Sequence, residues 1–357
     1  MKILFLIQSM GQGGAQRSLL TLLPELNSLL NHEVYLAFWN EEMPAYEIPS
    51  CINVIQLGKY SINKSKFRNY LHSINIVKKT IKSISPEYVV ATMCDMYAKV
   101  FFGNLVLRKK VIAWEHTSMG RKMQFESEIS RRFLYQFANK IVLLTNKDKK
   151  LVESKYKNTF VIPNGVPFNS VLDQSCIREN TIMTIGRLDV WHIKGFDLLL
   201  RIWGSLSKKH PEWRLQIAGG GNENSINKVN TFITENKVLD SVELLGYRHD
   251  MDTLLKKSKI FVLSSRVEGF PMSLIEAMSQ GNGCVCFSVN GAIQDIITNE
   301  KDGFIVEDGN LDKFAEYLET LIVEESLLKK ISANAVDSVQ RFKPSNVAKM
   351  WNDIFNI

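Results

Sequence analysis

Short apolar segments alternate with amphipathic helical stretches along nearly all of the 357 residues, and this pattern occurs twice. In the first half, helical patterns such as 15–30 and 67–83 lie between predicted strands at 3–7, 34–38, 54–57, 88–91, 111–114, 141–144 and 160–162. In the second half, the predicted strands are 181–185, 214–218, 242–245, 260–263, 285–287 and 304–306. Short strands that alternate with helices indicate βαβ units and parallel sheets. The pattern therefore predicts an α/β protein with two doubly wound, Rossmann-like domains.

The boundary between the two domains is predicted from a turn-rich segment at 163–180, which is typical of a linker. It divides the chain into a first domain at 1–168, a second domain at 169–342 and a C-terminal helix at 343–357. In doubly wound folds, ligands bind outside the carboxyl ends of the strands. We therefore expect ligand-binding residues in the loops that follow the predicted strands, facing a cleft between the domains.

Positive charge is concentrated in the first half of the chain. Residues 1–168 contain 23 lysines and arginines against 12 aspartates and glutamates, whereas the remaining residues contain 21 against 25. This asymmetry predicts that the first domain meets an anionic membrane surface or a polyanion. No apolar run approaches the ~18–20 residues that span a bilayer, so the apolar start at 1–7 is interpreted as a buried strand. No zinc pattern, Ser-His-Asp arrangement or nucleic-acid motif is present, and no nucleic-acid partner is expected.

Two carboxylates, Glu268 and Glu276, lie eight residues apart across a predicted loop-to-helix junction. Pro271 suits the first turn of a helix, because its missing N–H is not needed there, and Gly281 suits the helix end. A helix is therefore predicted over 272–280, with Glu268 in the preceding loop and Glu276 just over one turn inside. The helix start between them favours a phosphate. This layout suits a nucleotide-sugar, with the diphosphate in the middle and hydroxyl groups on each side.

A second cluster of binding residues follows the first strand of the second domain. Arg187 comes directly after this strand, and Lys194 precedes the next helix. Both side chains can reach one anion at the carboxyl ends of the strands. A guanidinium and an ammonium group together neutralise a diphosphate, and we predict this role for the pair.

The loops that follow strands in the first domain contain two further candidate groups. A glycine-rich turn ends at Gly13 and Gly14 and is followed by Gln16 and Arg17, where the backbone can approach a ligand at a helix start. The spacing is neither that of a dinucleotide fingerprint nor that of a phosphate loop.

Glu115 and His116 follow the strand at 111–114. His116 could bind a sugar hydroxyl of the donor or orient an acceptor, and a structural role is the alternative. Glu115 could contact the acceptor or pair with a local base. Asp250 and Asp252 form a D-x-D string, which could bind a metal, but Asp250 is interpreted as a helix N-cap instead.

These motifs together resemble those of glycosyltransferase family 4 (glycosyl transferases group 1), whose members are retaining enzymes of the GT-B fold. The resemblance rests on the Glu-Gly-Phe-Pro start of the paired glutamates, the Gly-Arg-Leu and Lys-Gly pair, the Gly-Gly-Ala-Gln-Arg turn and the histidine at 116. It implies two Rossmann-like domains that face a central cleft. It also implies that the first domain lies on the acceptor side, that the second binds the nucleotide-sugar, and that the helix at 343–357 crosses back to the first domain.

The resemblance also implies roles for individual residues. Glu268 and His116 would be catalytic, and Gln16, Arg17 and Glu115 would lie on the acceptor side, with a contact of Asp95 to the acceptor left open. No metal and no cofactor are expected. The residues implied to bind the donor are Gly13, Gly14, Arg187, Lys194, Gly246, Tyr247, Arg248, Gly269, Phe270, Pro271, Met272, Ser273, Leu274 and Glu276.

The activity implied is metal-independent transfer, with retention, of a hexose or N-acetylhexosamine from a UDP-sugar. The acceptor would be a lipid-linked, lipopolysaccharide or capsule saccharide of the cell envelope. The enzyme would be cytoplasmic and peripheral on the inner face of the membrane, held through its basic first domain. One alternative is a UDP-sugar epimerase of the same fold, which would require additional carboxylates and histidines. A non-catalytic polyanion-binding protein is the other, and it would have no need of Arg187, Lys194, Glu268 and Glu276.

Overall fold

The computed structural model describes residues 1–39, 43–60, 65–171 and 177–357, apart from the side chains of Glu126 and Asn290. Part of the predicted linker, 172–176, lies outside these residues. The chain forms two compact units. The first unit consists of Met1–Pro167 and Phe342–Ile357, and the second unit consists of Phe168–Arg341.

Each unit is built on one sheet in which every described strand pair is parallel. The strands of the first unit are β1 (Lys2–Leu6), β2 (Glu33–Phe38), β3 (Asn53–Gln56), β4 (Tyr88–Thr92), β5 (Lys110–Trp114), β6 (Lys140–Leu143) and β7 (Thr159–Val161). The strands of the second unit are β8 (Glu179–Ile185), β9 (Arg214–Ala218), β10 (Val242–Gly246), β11 (Ser258–Leu263), β12 (Gly283–Phe287) and β13 (Phe304–Val306). Every predicted strand overlaps one of these.

The helices mostly connect strands of their own sheet, whereas the last three follow the last strand. In chain order they are α1 (Gly14–Ser28), α2 (Lys66–Ile84), α3 (Cys94–Asn104), α4 (Phe125–Ile129), α5 (Asn146–Val152), α6 (Trp191–Lys194), α7 (Phe196–Leu206), α8 (Glu223–Glu235), α9 (Met251–Lys257), α10 (Met272–Ser279), α11 (Leu311–Val323), α12 (Glu325–Val339) and α13 (Pro344–Asn356). None of the helices in the described parts of the chain is long and apolar enough to cross a membrane.

The two sheets share the same order in their first six strands, and the first sheet has a seventh strand at its edge. The first sheet runs β3-β2-β1-β4-β5-β6-β7 and the second runs β10-β9-β8-β11-β12-β13. In each sheet the chain starts at the centre, moves outward to one edge and then returns to fill the other side. This is the doubly wound arrangement that the alternating pattern predicted, and the prediction is confirmed. Its switch points lie between β1 and β4 and between β8 and β11, where ligands bind in such sheets.

The central strands are buried because parallel sheets carry helices on both faces, and their sequences are therefore almost continuously apolar. All five residues of β4 and all five of β12 are buried. The C-terminal helix α13 belongs to the core of the first unit. Its Trp351 is fully buried, and its ring centroid lies 5.9 Å from that of Phe5 and 4.8 Å from that of Trp114.

Candidate functional site

The switch point of the second sheet brings together two of the predicted site residues. Lys194 lies in the connection that follows β8, and Glu268 lies in the loop that follows the neighbouring strand β11. The distance between Lys194 Nζ and Glu268 Oε1 is 2.7 Å. The side chains are 22% and 11% exposed, so the pair is only partly screened by solvent.

The backbone at Gly195 holds Lys194 in this position. Gly195 has a φ of +67°, and a Cβ there would overlap the carbonyl oxygen of Ser264. The chain after β8 can therefore approach the chain after β11 only with glycine at this position. Two hydrogen bonds fasten the contact: Ser264 Oγ donates to the carbonyl of Lys194 at 3.0 Å, and the Arg266 amide donates to the carbonyl of Ile193 at 2.7 Å.

Arg266 and Asp197 form a second ion pair between the same two loops, which is called the brace below. The Arg266 guanidinium donates to both carboxylate oxygens of Asp197, at 2.8 and 2.7 Å, and also to the carbonyl of His192 at 2.5 Å. Burial alone would raise the pKa of the Asp197 carboxyl, but the hydrogen bonds and charge of Arg266 hold this pKa below its ordinary value. Asp197 is therefore an ionised partner of Arg266, and the two loops are joined by side chains as well as by backbone.

Glu268 uses one carboxylate oxygen for its hydrogen bonds. Oε1 accepts from Lys194 Nζ and from Ser265 Oγ, each at 2.7 Å. Within the described residues, no donor contacts Oε2. The carboxylate is thus fixed in orientation and keeps one oxygen able to accept a hydrogen bond from a ligand hydroxyl.

Arg187 is exposed at the end of β8, in the same loop as Lys194. Backbone hydrogen bonds link this strand end to those beside it: Gly186 N donates to Ala218 O, and Gly219 N donates to Gly246 O. A Cβ at Gly219 would overlap the carbonyl oxygen of Gly186. The run of glycines at 219–221 therefore belongs to the site, although the sequence analysis did not single it out. Three consecutive glycines after a strand were the available signal.

The loop after β11 leads into α10 as predicted. Pro271 occupies the N-cap position of α10, Gln280 caps its C-terminus and Gly281 follows with a φ of +75°. Glu276, one turn inside the helix, is fully buried. The predicted helix at 272–280 is confirmed. The remaining candidates in this segment divide into the half-buried Gly269 and Ser273 and the buried Phe270, Pro271, Met272 and Leu274.

The loop after β10 contains the predicted N-cap residue of α9. Asp250 occupies the N-cap position of α9, but its side chain accepts no capping hydrogen bond. Arg248 takes both of its oxygens, at 2.9 and 2.7 Å, and this pairing lowers the pKa of Asp250. The predicted N-cap position of Asp250 is confirmed, but its carboxylate pairs with Arg248 and makes no capping hydrogen bond. Gly246 ends the strand with a φ of +65°, and Tyr247 is exposed beside it.

Three or more side chains able to bind one metal ion do not come together anywhere within residues 1–39, 43–60, 65–171 and 177–357. The D-x-D string at 250–252 is no exception.

At the switch point of the first sheet, the glycine-rich turn leads directly into α1. Gly14 is the first residue of the helix and Gly13 its N-cap. The Gln16 side chain folds back against Gly13, where it would overlap a Cβ, and Gln16 Nε2 donates to the carbonyl of Ser9 at 3.1 Å. The Arg17 guanidinium lies 6.0 Å from the ring centre of Tyr46.

Glu115 is buried at the end of β5 and is held inside the fold. Arg131 Nε lies 3.1 Å from its Oε2, Tyr135 donates to the same oxygen at 2.8 Å, and the Thr117 amide donates to Oε1 at 3.0 Å. Burial opposes ionisation, but Arg131 and these hydrogen bonds keep the pKa of Glu115 below its ordinary value. The structure thus places Glu115 in a pair with a local base, which was the alternative to an acceptor contact.

Asp95 and His116 follow two neighbouring strands of the first sheet, β4 and β5. His116 Nε2 and Asp95 Oδ1 are buried and have no hydrogen-bond partner among the described residues. The His116 ring lies 4.3 Å from that of Trp114, and burial lowers the pKa of His116 to about 4 despite the charge of Glu115. His116 is therefore neutral at pH 7, and no described residue fills the hydrogen-bonding position of its Nε2.

Two family models match the chain, one in each half. Glycosyltransferase Family 4 matches residues 12–169, and Glycosyl transferases group 1 matches residues 176–337.

Curated relatives match the chain over nearly its whole length. It is 27% identical to the amylovoran biosynthesis glycosyltransferase AmsD of Erwinia amylovora, over 99% of each chain. It is 25% identical to an α-1,4-N-acetyl-D-galactosaminyltransferase of Campylobacter jejuni, over 98% of this chain and 97% of the relative. The name of the latter enzyme includes a saccharide on PP-undecaprenol.

A crystal structure of HepE from Anabaena, in complex with UDP and glucose, shares the fold. It aligns with a TM-score of 0.82 at 18% identity, over 100% of this chain and 99% of that chain. The matches to the two family models cover most of the sequence, and the chain belongs to glycosyltransferase family 4 (glycosyl transferases group 1), as a glycosyltransferase with the GT-B fold.

Proposed function

We propose that this glycosyltransferase moves a hexose or N-acetylhexosamine from a UDP-sugar to a lipid-linked or cell-envelope saccharide, with retention of configuration and without a metal. The observation that carries the proposal is the contact between Lys194 and Glu268 at the switch point of the second sheet. In a nucleotide-sugar, the anomeric carbon is bonded directly to an oxygen of the distal phosphate. A cation for that phosphate and a carboxylate for the sugar hydroxyls must therefore be neighbours, as these two residues are.

The leaving diphosphate requires stabilisation of its growing negative charge. Lys194 and the exposed Arg187 follow the same strand, and the start of α10 adds backbone N–H groups at the adjacent strand end. Two cations and a helix start would supply the stabilisation that a divalent metal provides in other phosphate chemistry. This is our reason for proposing metal-independent catalysis.

The proposed reaction is the one that the resemblance to retaining glycosyltransferases implies. The bond between the anomeric carbon and the phosphate oxygen breaks, and the acceptor hydroxyl oxygen bonds to that carbon on the face that the diphosphate leaves. The acceptor proton passes to the departing phosphate oxygen. Glu268 orients the sugar through its hydroxyls and Glu276 holds the ribose hydroxyls. His116 is the proposed partner of a sugar hydroxyl, because its neutral Nε2 lies at the edge of the first sheet.

The nature of the acceptor is proposed from the relatives and from charge. The Campylobacter jejuni relative is named for a saccharide on PP-undecaprenol, and AmsD for amylovoran biosynthesis. The excess of 23 cationic over 12 anionic residues in 1–168 suits an enzyme that works beside anionic lipid at the inner face of the cytoplasmic membrane. The α-linkage in the relative's name is also the configuration that retention would give from an α-linked donor.

The phosphate role of Lys194 is tested by UDP binding to Lys194→Ala, measured by calorimetry. Loss of one charge-assisted hydrogen bond should weaken UDP binding by about 1.5–3 kcal/mol, or roughly 10- to 150-fold. Lys209→Ala is the matched control, because Lys209 also pairs with a glutamate in the second unit, at 3.1 Å on the surface. Equal UDP affinity in both variants would remove Lys194 from the phosphate site.

Two further experiments separate the proposed function from a metal-dependent transferase and from an epimerase. Chelator should leave transfer intact, whereas loss of activity with rescue by manganese would contradict the metal-independent mechanism. A UDP-sugar panel without acceptor should yield only slow hydrolysis. A change of sugar configuration in the recovered donor would instead identify an epimerase.

A further inference from the structure

The helical segment at 125–137 exposes three of its four aromatic side chains and buries the polar Ser130 and Arg131. It consists of α4, a π turn at Ser130–Leu134 and a 3₁₀ turn at Tyr135–Phe137. A helix on the surface of a soluble protein normally buries its apolar stripe and exposes its polar one. The exposure of these aromatic side chains therefore requires an explanation.

The outward side is an apolar stripe with one residue every fourth position. The exposed fractions are 79% for Phe125, 37% for Ile129, 56% for Phe133 and 61% for Phe137. Residues spaced by four share one face of a helical segment. These four residues are called the aromatic ridge below. Large exposed apolar patches on a protein mark interaction surfaces, whereas single exposed residues do not.

The inward side is fixed by the buried ion pair of the first unit. Arg131 pairs with Glu115 and also donates to the carbonyls of Ser118 and Thr117, at 3.1 and 3.2 Å. Ser130 Oγ donates to the carbonyl of Cys94 at 2.7 Å. Rotating the segment to bury the ridge would carry Arg131 away and leave the Glu115 charge buried without its partner, which costs several kcal/mol. The ion pair and these hydrogen bonds therefore keep the ridge exposed.

The end of α3 extends this surface. The rings of Phe101 and Phe102 are 5.2 Å apart, and the Phe101 ring lies 5.4 Å from that of Phe137 in the ridge. Phe102 is exposed, as are Leu105 and Val106 directly after the helix. The apolar surface thus continues from the ridge through Phe101 onto α3.

Exposed cations surround this apolar surface. Arg121 and Lys122 precede the ridge, Arg132 lies within it, and Arg108 follows Val106. Lys155 is bound to the same segment, because its Nζ donates to the carbonyl of Arg132 at 2.8 Å. Glu128 is an exposed carboxylate on the segment. Aromatic and aliphatic groups flanked by lysine and arginine are the combination that inserts into the interface of an anionic membrane.

We propose that the aromatic ridge and the end of α3 insert into the headgroup region of an anionic bilayer, with the flanking cations on the lipid phosphates. The charge pattern favours lipid over a second copy of the chain, because pairing two copies through this face would bring like charges together. The proposal does not depend on glycosyl transfer. It specifies the surface through which an enzyme with a lipid-linked acceptor would reach its substrate.

The test compares vesicle binding of the full chain with that of Phe133→Ser/Phe137→Ser. Vesicles of phosphatidylglycerol and phosphatidylcholine should bind the unaltered protein, and the double variant should bind about tenfold less or weaker still. Vesicles of phosphatidylcholine alone should bind both poorly. Leu239→Ser/Val323→Ser is the matched control, because both residues are exposed apolar positions in the second unit. The control should bind like the unaltered protein.

Two other measurements make the result decisive. UDP affinity should be the same in all three proteins, so loss of vesicle binding with intact UDP binding assigns the effect to the surface and not to the donor site. Equal vesicle binding by the ridge variant and the control would overturn the proposal. So would a dimer of the unaltered protein that dissociates in the ridge variant, because the ridge would then be a contact between copies.

Discussion

Glu268 concentrates its hydrogen bonds on one carboxylate oxygen, which accepts from both Lys194 and Ser265. A carboxylate held in this way has a defined direction as well as a charge. It can align the hydroxyls of a sugar without first losing rotamer freedom of its own. At the residue scale, the arrangement predicts different failures for the two glutamates of the loop–helix unit.

Glu268→Gln should cut the rate of transfer by roughly 10- to 150-fold and leave the affinity for bare UDP almost unchanged, because its proposed partner is the sugar. Glu276→Gln should weaken UDP itself, because its proposed partner is the ribose. Calorimetry with UDP and an assay of transfer separate the two effects. The glutamates would be structural if both variants lost stability while each folded molecule kept normal activity.

His116 should make the folded state sensitive to acid. The unfolded chain binds a proton at this residue below about pH 6.5, whereas the folded chain binds it only below about pH 4. Stability is therefore present above pH 6.5 and is lost as the pH falls towards 4. The free energy of unfolding falls by about 3 kcal/mol between neutral pH and pH 4 because of His116, and His116→Gln should abolish this loss. The check is denaturant unfolding of both proteins at pH 7 and pH 4. If both lost the same free energy of unfolding at pH 4, the expectation would be wrong.

At the scale of elements, the loops after β8 and β11 act as one piece because Arg266 joins them. Arg266 makes no proposed contact with the donor, yet it binds Asp197, His192 and Ile193 around the base of Lys194. We assign it a positioning role, in which it holds the Lys194–Glu268 pair at the distance that the substrate requires.

Arg266→Lys keeps the charge but loses the two-pronged contact with Asp197, so UDP affinity should fall about three- to tenfold. Unfolding at neutral pH should show a loss of about 1–2 kcal/mol. Arg214→Lys is the control, since Arg214 is exposed and its one hydrogen bond, to the carbonyl of Pro211, is long at 3.4 Å. A stability loss in Arg266→Lys with unchanged UDP affinity would show that the brace does not position the site.

Local patterns explain which elements could be predicted from the sequence. The strands were predictable because burial on both faces imposes apolar runs that are visible in the chain. The helix at 272–280 was predictable because proline and glycine mark its ends. The N-cap position of Asp250 was predictable, but the pairing of its carboxylate with Arg248, two residues away, was not. Competition between neighbouring side chains leaves no periodic signal.

Long-range contacts explain what the sequence could not supply at the site. The loops that carry Lys194 and Glu268 were predicted to share the carboxyl edge of a sheet, but their direct contact was not predicted. The brace was missed because Asp197 and Arg266 lie 69 residues apart and neither belongs to a recognisable motif. The outward ridge was missed because its orientation depends on Arg131 reaching Glu115, which is a tertiary contact.

At the scale of the whole molecule, α13 completes the core of the first unit from the far end of the chain. Trp351 is buried against Phe5 and Trp114, and Tyr88 donates to the carbonyl of Phe355 at 2.8 Å. Trp351→Ala should therefore cost about 3–5 kcal/mol of stability in the first unit. Met350→Ala is the control, because Met350 is exposed on the same helix.

Thermal unfolding with and without UDP tests this expectation. The first unit of Trp351→Ala should melt at a lower temperature, while the transition that UDP stabilises should move little. Equal stability of Trp351→Ala and Met350→Ala would show that α13 does not complete the core.

The position of α13 also sets an order of events at the ribosome. Synthesis runs from the N-terminus, so all of Phe168–Arg341 emerges before Phe342–Ile357, which belongs to the first unit. The second unit can therefore fold while the first unit still lacks Trp351. The unit whose synthesis begins first therefore completes its core last. Until α13 emerges, the apolar surface around Phe5 and Trp114 stays uncovered and is accessible to chaperones.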